Sequence, residues 1–312
     1  MPASLARVPD AAVGDLEVDR LLEEIGGCAE LDTSGAQLVK YYNNATFVLP
    51  AAEVVVRVAG SAALSGKLDK VVWAARWLEE IGFPAVRLAQ GKPNPVVTAN
   101  AAASIWDLVR PVRPPEPADL AGLLRQLHGC TPPAELTVWT PVEDVRVRVT
   151  AADQLSREDR AFLLRVCDDL ETDLDELDDY VECGVIHGDA CLDNVIVGAD
   201  GPVLCDLDRI SRGPLDWDLV PMRTASYHFE GGERDHAAFL SAYRPSNVGA
   251  RRTAVLHRLR ELKLVTSVVS LLQNNPSVRA EFKHRLRTFR AGEHQARWHR
   301  FADMQTAKVQ EG

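Results

Sequence analysis

VIHGDACLDNVIVGADGPVLCDLDRISRGPLDWDL, Val185 to Leu219, brackets a polar turn with two short β-rich runs. Ile186 leads into His187-Gly188-Asp189, and Val195-Ile196-Val197 forms a strand. Ala199-Asp200-Gly201 turns the chain, and Val203-Leu204-Cys205 delivers Asp206-Leu207-Asp208 to a second polar end. Apolar β-branched runs interrupted by Asp-Gly read as a hairpin. Asp189, Asn194 and Asp206 are therefore expected to converge at one edge of it. Such an oxygen-rich cluster suits magnesium, which takes carboxylate and amide oxygens together with phosphate oxygens. A lone His-Gly-Asp is a common turn. The ordered set of Asp189, Asn194, Asp206 and Asp218 is what carries the reading.

That order and spacing resembles the core of protein-kinase-like enzymes, in which a loop Asp accepts the hydroxyl proton and a downstream Asn and a later Asp hold metal ions. His-Gly-Asp in place of His-Arg-Asp, and Asp-Leu-Asp in place of Asp-Phe-Gly, resemble the aminoglycoside phosphotransferase family of small-molecule kinases. The resemblance implies an α+β fold of two lobes. Residues 1–110 would form a small lobe with an antiparallel nucleotide-binding sheet and a helix. Residues 111–312 would form a larger, mostly helical lobe with the catalytic loop, the metal site and the substrate-binding helices. Asp189 would be the catalytic base, Asn194 and Asp206 the metal holders, and His187 a residue that ties the loop down by hydrogen bonds. Asp218, in Gly213-Pro214-Leu215-Asp216-Trp217-Asp218-Leu219, matches the family's acid that braces the loop from below. Asp208 either touches the metal or accepts local backbone hydrogen bonds. The cofactors implied are ATP, with GTP not excluded, and Mg2+. A hydroxyl is a poor nucleophile, so a carboxylate must orient it and take its proton as the phosphoryl group transfers.

Composition agrees with an enzyme of this size. The 312 residues hold enough apolar content for a core or for two lobes. A net charge of -10 argues against general affinity for nucleic acid or an anionic membrane, and is compatible with a cationic substrate. The six cysteines form no Cys-x-x-Cys pair, and no secretory signal or membrane-length apolar run is visible. The expectation is a cytoplasmic protein with reduced thiols, monomeric or homodimeric.

Upstream, Leu16, Leu21, Leu22 and Ile25 predict a short helix ended by Gly26-Gly27. QLVKYY, TFVL and EVVVRVA then read as strands. By the resemblance, residues 42 to 45, including Asn44, would form the loop over the nucleotide. No G-x-x-x-x-G-K-[ST] occurs, so phosphate gripping relies less on backbone N–H groups than in a P-loop. Arg57 falls where the kinase pattern has its strand lysine and would contact the nucleotide phosphates. Arginine grips phosphate bidentately, so the swap is not conservative. The helix predicted over Leu68–Gly82 lacks an obvious glutamate to pair with that cation; Asp69 is the only early candidate. Two further strands are expected at 95–98 and 103–109, and the resemblance implies an adenine-binding hinge after them, near Leu108, Val109 and Arg110.

A helix from Pro117 to His128 follows, with His128 as a packing residue. Residues 156–182 carry a capping-box-like start at Ser156 and Asp159 and an apolar stripe of Leu163, Val166, Leu170, Leu174, Leu177 and Val181. The opposite face is acidic, either solvated or attractive to a cationic substrate. Tyr227, His228, Glu230 and Glu233 are candidates for shaping the substrate site. The basic, aromatic-interleaved end from Lys283 to Phe301 reads as a closing amphipathic helix rather than an RNA-binding tail.

The function expected is ATP-dependent transfer of the γ-phosphate to a hydroxyl of a small molecule. An aminoglycoside or related antibiotic, inactivated as a resistance mechanism, leads the acceptor list. A metabolic kinase for choline, a sugar or an amino alcohol is the alternative. Two more remote readings are a catalytically silent kinase relative and a haloacid-dehalogenase-type phosphatase using Asp206-Leu207-Asp208.

Overall fold

In a computed structural model the described residues are 15–41, 45–59, 65–177, 182–244, 249–272 and 275–301. They cluster into two compact units: residues 1–115 with 192–210, and residues 116–191 with 211–312. The expected boundary at 110/111 assigned 192–210 to the second lobe, whereas that segment clusters with the first unit. Backbone hydrogen bonds explain why. Leu204 N–H donates to Pro84 O (3.0 Å), Val86 N–H to Leu204 O (2.9 Å), and Val112 N–H to Val197 O (2.9 Å). These bonds satisfy strand-edge groups that would otherwise lack partners.

The first unit begins with α1 (Asp15–Ala29), β1 (Gln37–Tyr41), β2 (Ala45–Leu49), β3 (Val54–Ala59), α2 (Ser65–Glu80), β4 (Val96–Val97) and β5 (Ala102–Asp107). The strands form one antiparallel sheet in the order β1-β2-β3-β5-β4. Alternation along β3 buries Val54, Val56 and Val58 with Phe47, Leu49 and Ile105 against Val18, Leu22 and Ile25 of α1. Full burial of each such side chain contributes about 1.5–3 kcal/mol. Period-2 geometry then puts Arg57 on the other face, between Thr46 and Ser104 in register. The first helix does not stop at Gly26-Gly27. Ala29 continues its buried face, and at Gly26 an added Cβ would lie 2.5 Å from the Thr33 side chain. That glycine permits close approach rather than ending the helix.

The second unit contains α3 (Pro117–His128), α4 (Glu143–Ala151), α5 (Arg157–Asp175) and β6 (Cys183–Ile186). The chain then crosses to the first unit for β7 (Val195–Gly198) and β8 (Gly201–Leu204), an antiparallel hairpin turned at Ala199-Asp200. Back in the second unit come β9 (Ser211–Pro214), α6 (Val220–His228), α7 (Gly232–Tyr243), α8 (Ala250–Thr266) and α9 (Pro276–Ala291). Ser156 Oγ caps α5 by accepting from Asp159 N–H at 3.0 Å. Leu163, Val166, Cys167 and Leu170 bury one face of it. The helix ends at Asp175, short of the expected 182, and Val181 lies outside the described residues. Its acidic face meets arginines: Arg146 reaches Asp168 at 2.7 Å and also Glu171, and Arg251 reaches Glu176 at 2.9 Å. Within the basic end, one cation is packed rather than free. Arg285 is 1 % exposed and stacks on Phe301, 3.7 Å from the ring centroid, with its Nε–H donated to Glu281 at 2.9 Å. Among the described residues no helix is long and apolar enough to cross a membrane.

Candidate active site

The Asp189 loop is built from the second unit. Ile186 ends β6, which pairs antiparallel with β9 and is buried apart from Cys183. The next residues leave the strand through Gly188, whose φ of +84° is a conformation that side chains resist. Asp218, fully buried, accepts from His187 N–H at 2.6 Å and from Gly188 N–H at 2.8 Å. One carboxylate oxygen also lies 3.1 Å from His128 Nε2, whose Nδ1 is 2.7 Å from the Tyr243 hydroxyl. Trp217 Nε1–H donates to Gly188 O at 3.0 Å. Two buried backbone donors and an imidazole thus share one anion, a charge-assisted arrangement that holds the loop in a single shape. His187 is fully buried, and its backbone N–H is one of the loop's ties to Asp218. Asp189 itself is half-buried, and Arg260 of α8 places Nη1 2.7 Å from its Oδ1.

The other group lies in the first unit. Asn194, 5 % exposed, closes the base of the β7–β8 hairpin by accepting the Cys205 N–H at 3.0 Å. The next residue, Asp206, has φ +62° and ψ 59°, the left-handed region that non-glycine residues seldom occupy. Arg57 reaches both acids of Asp-Leu-Asp. Its Nη2 lies 3.2 Å from Asp206 Oδ1, and its two Nη atoms donate to the two oxygens of Asp208 at 3.1 and 2.9 Å. Burial disfavours the guanidinium charge, but Asp208 and then Asp206 outweigh it and hold the arginine above its ordinary pKa. Asp208, expected to meet a metal or local backbone groups, is therefore the fork-to-fork partner of Arg57. Asp69, the acid expected from the helix, is exposed and has no bond to Arg57 among those described.

The hinge candidates are placed by ordinary strand-end contacts. Leu108 N–H donates to Glu53 O at 2.8 Å, and Val109 is half-buried against Gly198. Asn44 lies outside the described residues. Of the substrate-shaping candidates, His228 is fully buried beside Glu261 and stacked on Trp298. Glu230 and Glu233 are exposed, and Tyr227 packs on His257. Nothing in the sequence pointed to Arg260. It stands beside the buried stripe of α8 and belongs to no motif.

The family model for the phosphotransferase enzyme family matches residues 38–262, well over half of the chain. The chain belongs to the phosphotransferase enzyme family. By that membership it is a phosphotransferase. No curated protein matches its sequence. Solved structures share its fold. An aminoglycoside phosphotransferase from Streptomyces rimosus is 22 % identical, covering 80 % of this chain and 98 % of its own, with a TM-score of 0.57. The choline kinase of Streptococcus pneumoniae is 15 % identical, with coverages of 88 % and 99 % and a TM-score of 0.63. An amicoumacin kinase solved with AMP-PNP, Ca2+ and Ami is 11 % identical, with coverages of 89 % and 96 % and a TM-score of 0.60. The fold of this family member is therefore the protein-kinase-like α+β fold, with an antiparallel sheet in the first unit and mostly helices in the second. The phosphatase reading of Asp206-Leu207-Asp208 falls away, since the match is to phosphotransferases and β8 belongs to a two-stranded antiparallel hairpin.

Proposed function

We propose that this family member moves the γ-phosphate of ATP to a hydroxyl of a small molecule, with an aminoglycoside or related antibiotic as the leading acceptor. The supporting observation is the loop at 187–189, held by the buried Asp218 through two backbone N–H groups. A loop fixed in that way presents one carboxylate, Asp189, in a constant orientation. Asp189 accepts the proton of the acceptor hydroxyl as the new oxygen–phosphorus bond forms. Asn194 and Asp206 offer an amide oxygen and a carboxylate oxygen, a hard donor set that fits Mg2+. The two residues would hold such an ion with the nucleotide, where its charge would offset that of the phosphate oxygens. Arg57 orients the Asp206 carboxylate and leaves guanidinium capacity for phosphate. Asp218 positions the loop, and His187 adds a backbone tie to it. The amicoumacin kinase holds AMP-PNP and Ca2+, a likeness that supports nucleotide and divalent-ion use here.

Arg260 favours a second reading of the acceptor. A guanidinium 2.7 Å from the proposed base is a fixed positive charge where a cationic antibiotic would bring another. A neutral acceptor of the sugar type fits that field better than an amine-rich one.

The test is product analysis by phosphorus NMR over a panel of amino-sugar antibiotics, choline, amino alcohols and neutral sugars, with ATP and Mg2+. Transfer to at least one acceptor, abolished in Asp189→Ala with the fold intact by circular dichroism, is expected. A wild type that transfers to none of the panel, or an Asp189→Ala variant that keeps full activity, would overturn the assignment.

A further inference from the structure

Three histidines, from α6, α8 and the segment after α9, surround one carboxylate in the second unit. Glu261, 1 % exposed, is on α8 one turn after His257, an i,i+4 pair on a single helix face. His228 comes from the end of α6, and His294 follows α9. His228 Nε2 lies 2.9 Å and His257 Nε2 3.4 Å from the same oxygen, Glu261 Oε1. His294 Nδ1 lies 2.9 Å from the other oxygen, Oε2. One ligand atom each from His228, His257 and Glu261 falls within 4.8 Å of the other two.

Proton accounting makes this arrangement informative. His228 Nδ1 is 2.7 Å from the Ala296 carbonyl, which can only accept, so that nitrogen carries the proton. The other nitrogen, Nε2, faces the Glu261 oxygen and brings a lone pair there unless it carries a second proton. Two lone pairs at 2.9 Å repel unless something positive lies between them. His257 Nδ1 meets the Thr224 hydroxyl, which can donate or accept, at 3.0 Å, and its buried Nε2 faces Oε1 without a hydrogen-bond partner among the described residues. A second proton on His228 would satisfy one nitrogen and leave the other unserved. One ion satisfies both.

We propose that His228, His257 and Glu261 bind a zinc-type divalent cation, with His294 beside it as a half-exposed fourth group. Imidazole nitrogens with one carboxylate are the donor set such ions prefer over magnesium. Zinc–ligand bonds of about 2.0–2.1 Å in a tetrahedron set neighbouring ligand atoms about 3.3 Å apart. The 2.9 and 3.4 Å spacings bracket that value. Ala296 O and Thr224 Oγ fix the two rings from behind, as outer partners of zinc-bound histidines do. Trp298, stacked on His228 with centroids 3.7 Å apart, dries one side, and His294 at 53 % exposure leaves an entry from solvent. The site ties α6, α8 and the segment after α9 together and is independent of phosphoryl transfer.

The test uses untagged full-length protein and elemental analysis. About one zinc per chain after gel filtration is expected, as is a visible d–d spectrum of tetrahedral intensity on replacement by Co2+. Dipicolinate, which strips zinc and leaves Mg2+, should lower Tm by several degrees, and added zinc should restore it. His257→Ala and Glu261→Gln should lose the metal. His294→Ala, at an exposed position that tolerates change, should fold and weaken zinc about 10- to 100-fold. Asp206→Asn should keep zinc whatever happens to transfer, which separates this site from the proposed nucleotide site. Substoichiometric zinc in wild type with no Tm response, or imidazole nitrogen NMR showing His228 doubly protonated in zinc-loaded buffer, would overturn the proposal.

Discussion

Two arginines meet carboxylates of interest in this chain, and they do so in different ways. Arg57, in the first unit, faces Asp208 fork to fork and touches Asp206 as well, with its side chain 19 % exposed. Arg260, in the second unit, makes one close contact, Nη1 to Asp189 Oδ1 at 2.7 Å, while its Nε is buried without a hydrogen-bond partner. The first geometry makes three hydrogen bonds from the planar guanidinium, which fixes both partners. The second uses one corner of it. A fork-to-fork lock and a single-corner contact can thus be told apart by how many of the donors are engaged.

The largest effect is expected at the anchor beneath Asp189. Asp218→Asn keeps the size of the side chain but turns one acceptor into a donor facing two buried N–H groups. Transfer should fall by at least about 10²-fold and stability by about 1–3 kcal/mol, read by steady-state kinetics and urea unfolding. If the loss were no greater than for Arg260→Gln, the loop would be held by something other than that carboxylate.

A smaller effect separates the two arginines directly. Arg57→Lys keeps the charge and loses the fork, so it should raise the nucleotide KM roughly tenfold and lower Tm by a few degrees. Asp208→Asn should act in the same direction. The double variant should fall short of the sum by at least about 1 kcal/mol, because the two side chains are one unit. Strict additivity would mean that the bidentate contact carries no energy. The smallest effect belongs to Arg260→Gln. It should change kcat by under about tenfold yet shift the ratio of kcat/KM for a cationic over a neutral acceptor upward by a similar factor. An unchanged ratio would remove Arg260 from any part in acceptor choice.

Much of this was legible in advance. Strands β1 to β5, the β7–β8 hairpin, α2 and α3 were predicted within a few residues, because apolar alternation, helical periodicity and Asp-Gly punctuation act over neighbouring residues. The end of α1 was misjudged because burial of Ile25 and Ala29 outweighs the low helix propensity of Gly26-Gly27. The end of α5 was overextended for a related reason: Leu174 and Leu177 keep the spacing but are only partly buried. Among candidate site residues, Asp218 was singled out with its neighbours, and the structure adds what it holds: His187 N–H, Gly188 N–H and His128. Asp208 was seen as a residue but not as the partner of Arg57, since a helix glutamate was the expected one.

By itself, the order of amino acids determined most of the helices and strands of the first unit, that Arg57 leaves the core face of β3, and the ordered set Asp189, Asn194, Asp206 and Asp218. Each follows from backbone geometry and turn chemistry that act over a handful of consecutive residues. Tertiary structure alone decided that Asp208 answers Arg57, that Arg260 reaches Asp189, and that three histidines gather on Glu261. Apart from His257, which shares α8 with Glu261, those partners lie on different elements, and only the packing of side chains on distant segments brings them within bonding distance.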